Sequence, residues 1–510
     1  MNGAPLHLEP HLEPPLATVL RAPAFLHTLV DALGSPLNVV LPDRIAANVD
    51  RFRAVHGRHS LAGQVFFAHK ANRSRALVRR LAATDAGIDV ASLGELQHAL
   101  GAGFTPDRIV ATGPKDPQFR WLAARTGVTV SVDGEDELTG LAALVRRHGL
   151  PPVRVLLRLS GFEAAASGIR VRSRQSRFGT SVTLLDGLLD AVERHRDAVE
   201  PVGVGHHLDT TSLDEKALAL EGALHAMDAL RRRGCQPRAI DIGGGFGVNY
   251  LADGAAWDRW TTALTHAVLG SRPPLTWGGH GYGLRAEGGT LRGALGLYPA
   301  HRPLAGPAYL DALLARPAAS LGGRPLGTLL LENLYDLYSE PGRALVDQCG
   351  LSLARVLEVR TTAAGDRLVR LAMTANDVSL EEHGVLMDPV LVPRDGPGPA
   401  ADDAGSDGAG SDGAGSDGAG PAAHGVYLTG SLCLESDLIT RRAVFLPRPP
   451  RPGDLLAFAN TAGYCMDFSA TRAQAQPVAH KVAAWEEDGS WRWCLDEQYW
   501  PLTPSGGLTA

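Results

Sequence analysis

A chain of 510 residues with 45% hydrophobic content is too long for one compact core and apolar enough to fill two, so two domains are expected. Its formal net charge of -6 and the lack of any basic stripe exclude an electrostatic footprint for nucleic acid or an anionic membrane. That leaves a small molecule as the expected partner.

The first residues, Met1-Asn-Gly-Ala-Pro-Leu-His-Leu-Glu-Pro10, hold no basic stretch followed by an apolar one. Nor does the chain contain a run of about 18 uncharged apolar residues, so neither export nor a membrane span is expected. Residues 30–45 are expected to cross into a β-rich domain before the main repeat starts. From about residue 60 to 345 one theme recurs: a short β-rich run, a turn, then a longer segment of helical periodicity. The predicted strands are Val65–His69, Ile88–Ala91, Ile109–Ala111, Val128–Val132, Val153–Leu159, Val202–His207, Ala239–Ile242 and one ending before Glu340. Amphipathic segments such as Glu135–His148 and Leu213–Arg233 lie between them. Eight strands alternating with helices predict an α/β fold, a (β/α)8 barrel over residues 46–350 with its site at the C-terminal strand ends.

Beyond residue 350 the alternation stops. Runs at Leu351–Arg360, Arg367–Met373, Val426–Leu428 and Leu455–Phe458 predict a mainly β domain formed by residues 1–45 and 351–510. Within it, residues 395–424 carry three copies of Ala-Gly-Ser-Asp-Gly. That composition buries too little apolar surface to offset chain entropy, so a disordered loop is expected.

Three segments carry chemistry. Lys70 closes the first predicted strand in Phe66-Phe-Ala-His-Lys-Ala-Asn72. A buried strand-end lysine must be paired or neutral, and a neutral amine traps carbonyls; a solvated strand-end lysine is the plainer reading. The run Ala239-Ile-Asp-Ile-Gly-Gly-Gly-Phe-Gly247 ends in glycines whose amides can converge on a phosphate, or it is a tight strand-to-helix turn. Glu340-Pro-Gly-Arg343 follows the last predicted strand. An imine-forming amine, a glycine cradle and an arginine on a Pro-Gly turn together point to a phosphorylated aldehyde cofactor, pyridoxal 5'-phosphate. The insert Trp277-Gly-Gly-His-Gly-Tyr-Gly-Leu-Arg285 reads either as a substrate lid or as a surface insertion. The five cysteines, Cys235, Cys349, Cys433, Cys465 and Cys494, are scattered, odd in number and without CxxC spacing. They argue against a disulfide framework and a zinc site, and fit a reducing cytoplasm.

With these motifs in this order, the chain resembles the fold-type III pyridoxal-phosphate decarboxylases, the ornithine, arginine and diaminopimelate decarboxylase group. The resemblance runs over most of residues 35–470. Phe67-Ala-His-Lys-Ala-Asn72 is similar to the family's Schiff-base segment, Asp89-Val-Ala-Ser-Leu-Gly-Glu95 to its second strand end, and Ser176-Arg-Phe-Gly179 to the segment after strand five. His207-Leu-Asp-Thr210 takes the place of the His-x-Gly-Ser turn. Gly243-Gly-Gly245 and Glu340-Pro-Gly-Arg343 match the cofactor-phosphate segments, and Cys433, Asp437 and Tyr464 match the C-terminal contribution.

The resemblance implies roles. Lys70 holds the cofactor as an imine, His207 stacks on the ring, and Glu340 keeps the ring nitrogen protonated while a carbanion is delocalised into it. Thr210, the Gly243, Gly244 and Gly245 amides, Gly342, Arg343 and Tyr464 hold the phosphate. Asp89 and Arg158 orient Lys70 and the ring, or form a structural ion pair inside the barrel. Cys433 and Asp437 reach a neighbouring subunit's site, with Cys433 returning a proton to the product, so a homodimer is implied; a buried, inert Cys433 is the alternative. Substrate contacts fall to Arg343, Cys433, Glu435 and Asp437.

Three departures bear on the substrate. The family's acidic residue after the cysteine is Leu434 here, with Glu435 one position later. Met373-Thr-Ala-Asn-Asp377 lacks the usual Asp-Gly pattern, and Asp209 replaces a glycine in the histidine turn. The expected activity is decarboxylation of an amino acid at Cα, on a modified or bulkier amino acid. A racemase or epimerase on the same fold and a non-catalytic regulatory paralogue are the alternatives.

Overall fold

The computed structural model of the chain describes residues 5–162, 176–395 and 425–501. Apart from residue 395, the segment expected to be a disordered loop lies outside the described residues. Contacts divide the chain into two compact units.

The first unit comprises the described parts of 41–248, 303–347 and 496–501. Its eight main strands are β1 Gly63–Ala68, β2 Gly87–Val90, β3 Ile109–Ala111, β4 Thr129–Val132, β5 Val153–Ser160, β6 Val199–His206, β7 Ala239–Asp241 and β8 Asp336–Ser339. Each runs parallel to the next. β8 pairs with β1, Leu337 opposite Gly63 and Ser339 opposite Val65, and so closes the barrel. All eight fall on the apolar runs expected from sequence. A parallel strand buried on both faces needs continuous apolar residues, and β2, β3 and β4 are buried throughout. Phe66, Val110, Leu156 and Ala239 form a buried cluster with Val202 and Tyr338 packed against it. Gly203 lets β6 approach β7: a Cβ there would lie 1.8 Å from the Ala239 carbonyl oxygen.

Helices Arg75–Ala82, Leu93–Gly101, Pro117–Thr126, Glu135–His148, Leu185–Arg194 and Leu213–Arg232 return the chain between β1 and β7. Side chains cap several of them, Ser92 accepting from the Glu95 amide, Asp116 from Phe119 and Ser212 from Glu215. The helix after the Lys70 turn is capped twice. Ser74 accepts from the Leu77 amide at 3.1 Å, while Asp496, 421 residues after Arg75, accepts the Arg75 amide at 2.8 Å and the Ala76 amide at 3.2 Å. Arg79 donates to the Tyr499 carbonyl at 2.7 Å and lies over the Trp500 ring.

The second unit holds the described parts of 5–40, 249–302 and 348–495. Its centre is the twelve-residue strand Gly350–Thr361, antiparallel to Leu37–Val40, Arg367–Leu371 and Leu455–Ala459. Leu37–Val40 also runs parallel to His480–Glu487, so residues 37–40 do join the β-rich sheet. Residues 249–302 differ from expectation, since they fall within the span read as barrel but make their contacts in the β-rich unit. The Gly-rich insert belongs to this segment. Trp277 packs edge-on against Tyr427, Thr276 bridges to Arg442, and the buried Tyr282 hydroxyl donates to Glu381 Oε1 at 2.6 Å. Among the described residues no single helix is long and apolar enough to cross a membrane.

Candidate active site

The C-terminal ends of the barrel strands enclose a cavity of about 730 Å³. Lys70, Arg158, His207, Thr210 and Glu340, all expected site residues, line it, together with Asp241, Asp209, Thr112, Ser131 and Phe178.

Lys70 sits on the one-turn helix His69–Ala71 that ends β1. Its Nζ is 3.5 Å from Asp89 Oδ2 at the end of β2, and the other Asp89 oxygen accepts from the Thr112 hydroxyl after β3. Asp89 is 1% exposed, so the lysine faces a fixed, dry carboxylate. The turn is also braced from below. His69 is 3.2 Å from Glu95 Oε1 and shares a 2.8 Å hydrogen bond with His98, while Glu95 Oε2 accepts the Ala91 amide at 2.6 Å. Arg158 does not pair with Asp89. Its guanidinium lies 3.6 Å from Asp133 and over the Phe178 ring.

Across the cavity, Gly243 and Gly245 adopt φ of +63° and +85°, where only glycine is unstrained. A Cβ on Gly243 would come within 2.7 Å of the His206 carbonyl oxygen and 2.8 Å of His207 Nδ1, and one on Gly244 within 2.8 Å of the Glu340 carbonyl oxygen. The bend is therefore packed to the limit of backbone contact against the histidine turn and the end of β8. The Gly244 amide donates to His207 Nδ1 at 3.2 Å. His207 is exposed to the cavity; desolvation by the surrounding walls, then the Lys216, Lys70 and Arg158 cations, lowers its imidazole below the usual range and favours the neutral form.

Glu340 and Asp241 form a hydrogen-bonded acid pair at the ends of β8 and β7. Burial first, then the negative charges of Asp241 and Asp89, raises Glu340 well above the usual carboxylate range. Burial, with Asp89, pushes Asp241 up to about 6 against the 2.9 Å hydrogen bond from the Gly243 amide. Two acids this close cannot both ionise cheaply, so a cation beside them is favoured.

Of the remaining expected residues, Cys433, Glu435, Asp437 and Tyr464 lie in the β-rich unit, and Gly342 and Arg343 in the barrel unit. Cys433 is exposed, not buried, and its amide donates to Gln474 at 2.8 Å. Leu434 and Glu435 are also exposed. Tyr464 holds a left-handed φ of +68° with its ring against His383 and Phe468. Asp437 departs from its expected substrate contact. It is 6% exposed, and its two carboxylate oxygens accept the Ala375 and Leu432 amides, each at 2.8 Å, so it organises the cysteine loop. Gly342 and Arg343 follow Glu340 directly, Arg343 half-buried and Gly342 accepting the Leu345 amide.

Sequence reasoning passed over Asp241, Thr112, His69 and Lys216. Asp241 was visible as a charge inside an apolar run. Lys216 was visible as a lysine in step with the buried Leu220, Ala223 and Met227 of its helix.

A strand-end amine against a buried carboxylate, a bend that admits only glycine, a neutral imidazole and a proton-holding acid pair fit pyridoxal 5'-phosphate. Residues 43–278 match the family model described as the pyridoxal binding domain of pyridoxal-dependent decarboxylases. An uncharacterised Sinorhizobium fredii protein, y4yA, is 28% identical over 89% of this chain and 88% of its own. The diaminopimelate decarboxylase of Methanothermobacter thermautotrophicus is 34% identical over 44% of this chain, and the match spans only 53% of that enzyme. The solved diaminopimelate decarboxylase of Helicobacter pylori, in complex with L-lysine, shares the fold with a TM-score of 0.64 at 18% identity, over 92% of this chain and 95% of that one. Residues 43–278 are therefore similar to the pyridoxal binding domain of the pyridoxal-dependent decarboxylases, the fold is that of solved decarboxylases, and the residues of the site fit pyridoxal 5'-phosphate.

Proposed function

We propose that the protein removes the α-carboxylate of an amino acid whose distal end carries no ammonium group of the diamino-acid kind. The observation that carries the reading is the Asp241–Glu340 acid pair in the cavity that Lys70 also lines. When bound, the cofactor supplies a pyridine ring that takes up the electron pair released as CO2 leaves. Glu340, coupled to Asp241, holds a proton and negative charge where that ring's nitrogen is to be kept cationic. Lys70 provides the amine for covalent attachment, with Asp89 fixing it. His207 stays neutral and offers a ring face without adding charge. Thr210, Gly243–Gly245 and Arg343 are the residues to hold the phosphate.

The substrate part rests on Leu434. An exposed leucine where the family carries an acid gives no counter-ion for a distal ammonium, and a cavity of about 730 Å³ accommodates more than a small free amino acid. Cys433, exposed on the β-rich unit, is proposed to return the proton at Cα in a partner subunit's site.

The test is an amino-acid panel, including side-chain-acylated and other modified amino acids, incubated with the purified protein in deuterium oxide. Release of CO2 with a single deuterium at Cα supports the reading. Deuterium wash-in without CO2 would assign a racemase. Cofactor-loaded protein that does neither on any compound would leave a regulatory relative.

A further inference from the structure

Lys216 lies in the first turns of helix Leu213–Arg232 and is 1% exposed. Its Nζ donates to the Gly244 carbonyl oxygen and stands 5.8 Å over the Phe246 ring. A Cβ built on Gly245 would lie 2.9 Å from this Nζ and 3.3 Å from the Thr210 carbonyl oxygen. The ammonium therefore fills the seam between the glycine bend and the Thr210 turn, the two segments proposed above to hold the phosphate.

What is missing is a counter-ion. Among the described residues no carboxylate is within ion-pairing distance of Lys216, whose contacts are one carbonyl and one aromatic face. Desolvation lowers the ammonium to about 8, and Glu340, Asp209 and Asp241 oppose that only from a distance. A buried cation without a paired anion is costly and is retained where a ligand supplies the anion. One carbonyl also leaves two of its three N–H donors for another acceptor.

We propose that Lys216 is an anion-binding residue of this site and that its ligand is a dianionic phosphate monoester, the tail of the cofactor. The proposal rests on the cofactor assignment and adds a full buried charge to a cradle otherwise made of amides, a hydroxyl and Arg343. Lys216 thereby sets how tightly the phosphate, and not the aldehyde end, is held.

Cofactor-stripped protein, K216M and K216R are titrated with pyridoxal 5'-phosphate, with pyridoxal and with inorganic phosphate. Binding is read from the absorbance of the Lys70 adduct and from the thermal midpoint. Expected for K216M is a loss of roughly ten- to a hundredfold in affinity for pyridoxal 5'-phosphate, the range for hydrogen bonds to a charged group. Pyridoxal affinity stays unchanged, and stabilisation by inorganic phosphate disappears. The ligand-free midpoint stays level or rises, because an unpaired buried charge has been removed, and K216R recovers part of the phosphate response. Two results overturn the proposal: K216M binding pyridoxal 5'-phosphate as tightly as the parent, or losing both aldehydes equally with a lower ligand-free midpoint, which would make Lys216 a prop for the bend. A parent that binds neither aldehyde would remove the cofactor assignment itself, and the proposal with it.

Discussion

The Glu340 amide donates to the Gly243 carbonyl at 2.9 Å, so the acid proposed for the ring nitrogen and the bend proposed for the phosphate are fastened by one backbone hydrogen bond. A cofactor bound as proposed would be held at both ends by a single corner of the barrel.

Replacing Glu340 by Gln keeps this backbone bond and removes the group able to share a proton with Asp241 and ionise beside the ring. We expect kcat to fall by about a hundredfold or more, the usual scale for losing one preorganised electrostatic group, while the absorbance of bound cofactor persists. Steady-state kinetics with a spectrum of the same sample checks both, and a variant with unchanged kcat removes Glu340 from the chemistry.

Gly243→Ala acts on the other end. A left-handed alanine costs about 1–2 kcal/mol, and its methyl would meet the His206 carbonyl oxygen at 2.7 Å. The expected outcome is a folded protein with weakened cofactor retention, measured by dialysis against buffer and residual absorbance.

Exposed Cys433 leads to a mixing experiment. Inactive Lys70→Ala and impaired Cys433→Ala proteins, combined and allowed to exchange subunits, should regain up to about a quarter of parent activity if each site draws on both chains of a two-fold dimer. No recovery on exchange would confine the cysteine to its own chain or exclude it from the reaction.

Leu434→Asp supplies the counter-ion the family usually carries. Relative kcat/KM for a diamino acid over an uncharged analogue should rise by about tenfold or more, since a new paired charge contributes on the order of 1–3 kcal/mol. An unchanged ratio would place the substrate's distal end elsewhere.

Acid lability should come in part from His56. Burial, then the Arg53 and His59 cations, lowers it to about 4 from 6.5. Between those values the unfolded chain binds the proton and the folded chain does not, so stability is complete above 6.5 and lost as pH falls toward 4. The slope is at most about 1.4 kcal/mol per pH unit for one such histidine. Urea unfolding of His56→Phe at pH 7, 6 and 5 should show a shallower decline than the parent, and parallel declines would count against His56 as the cause.

The barrel was legible because its strands are buried on both faces. β3 at Ile109–Ala111 could be read from three consecutive apolar residues, and Lys70 and Glu340 stand out as charges where such runs stop. Lys216 was legible only as a lysine on the apolar face of its helix, and its place beside the cavity shows once the glycine bend is seen packed over it. Asp437 was misread for a related reason: its partners are backbone amides, and no side-chain pattern marks them. Residues 249–302 carry a helix, Gly254–Val268, that mimics the barrel's repeat, and only pairing such as Thr276 with Arg442 reveals its allegiance.

Asp496 seals the helix that follows Lys70 although more than four hundred residues separate them. During synthesis the ribosome must therefore add some 420 further residues before that helix start gains its distant acceptor. Lys70 is made long before the residue that caps the helix behind it, so a nascent chain stalled short of residue 496 holds its lysine on an unfinished support.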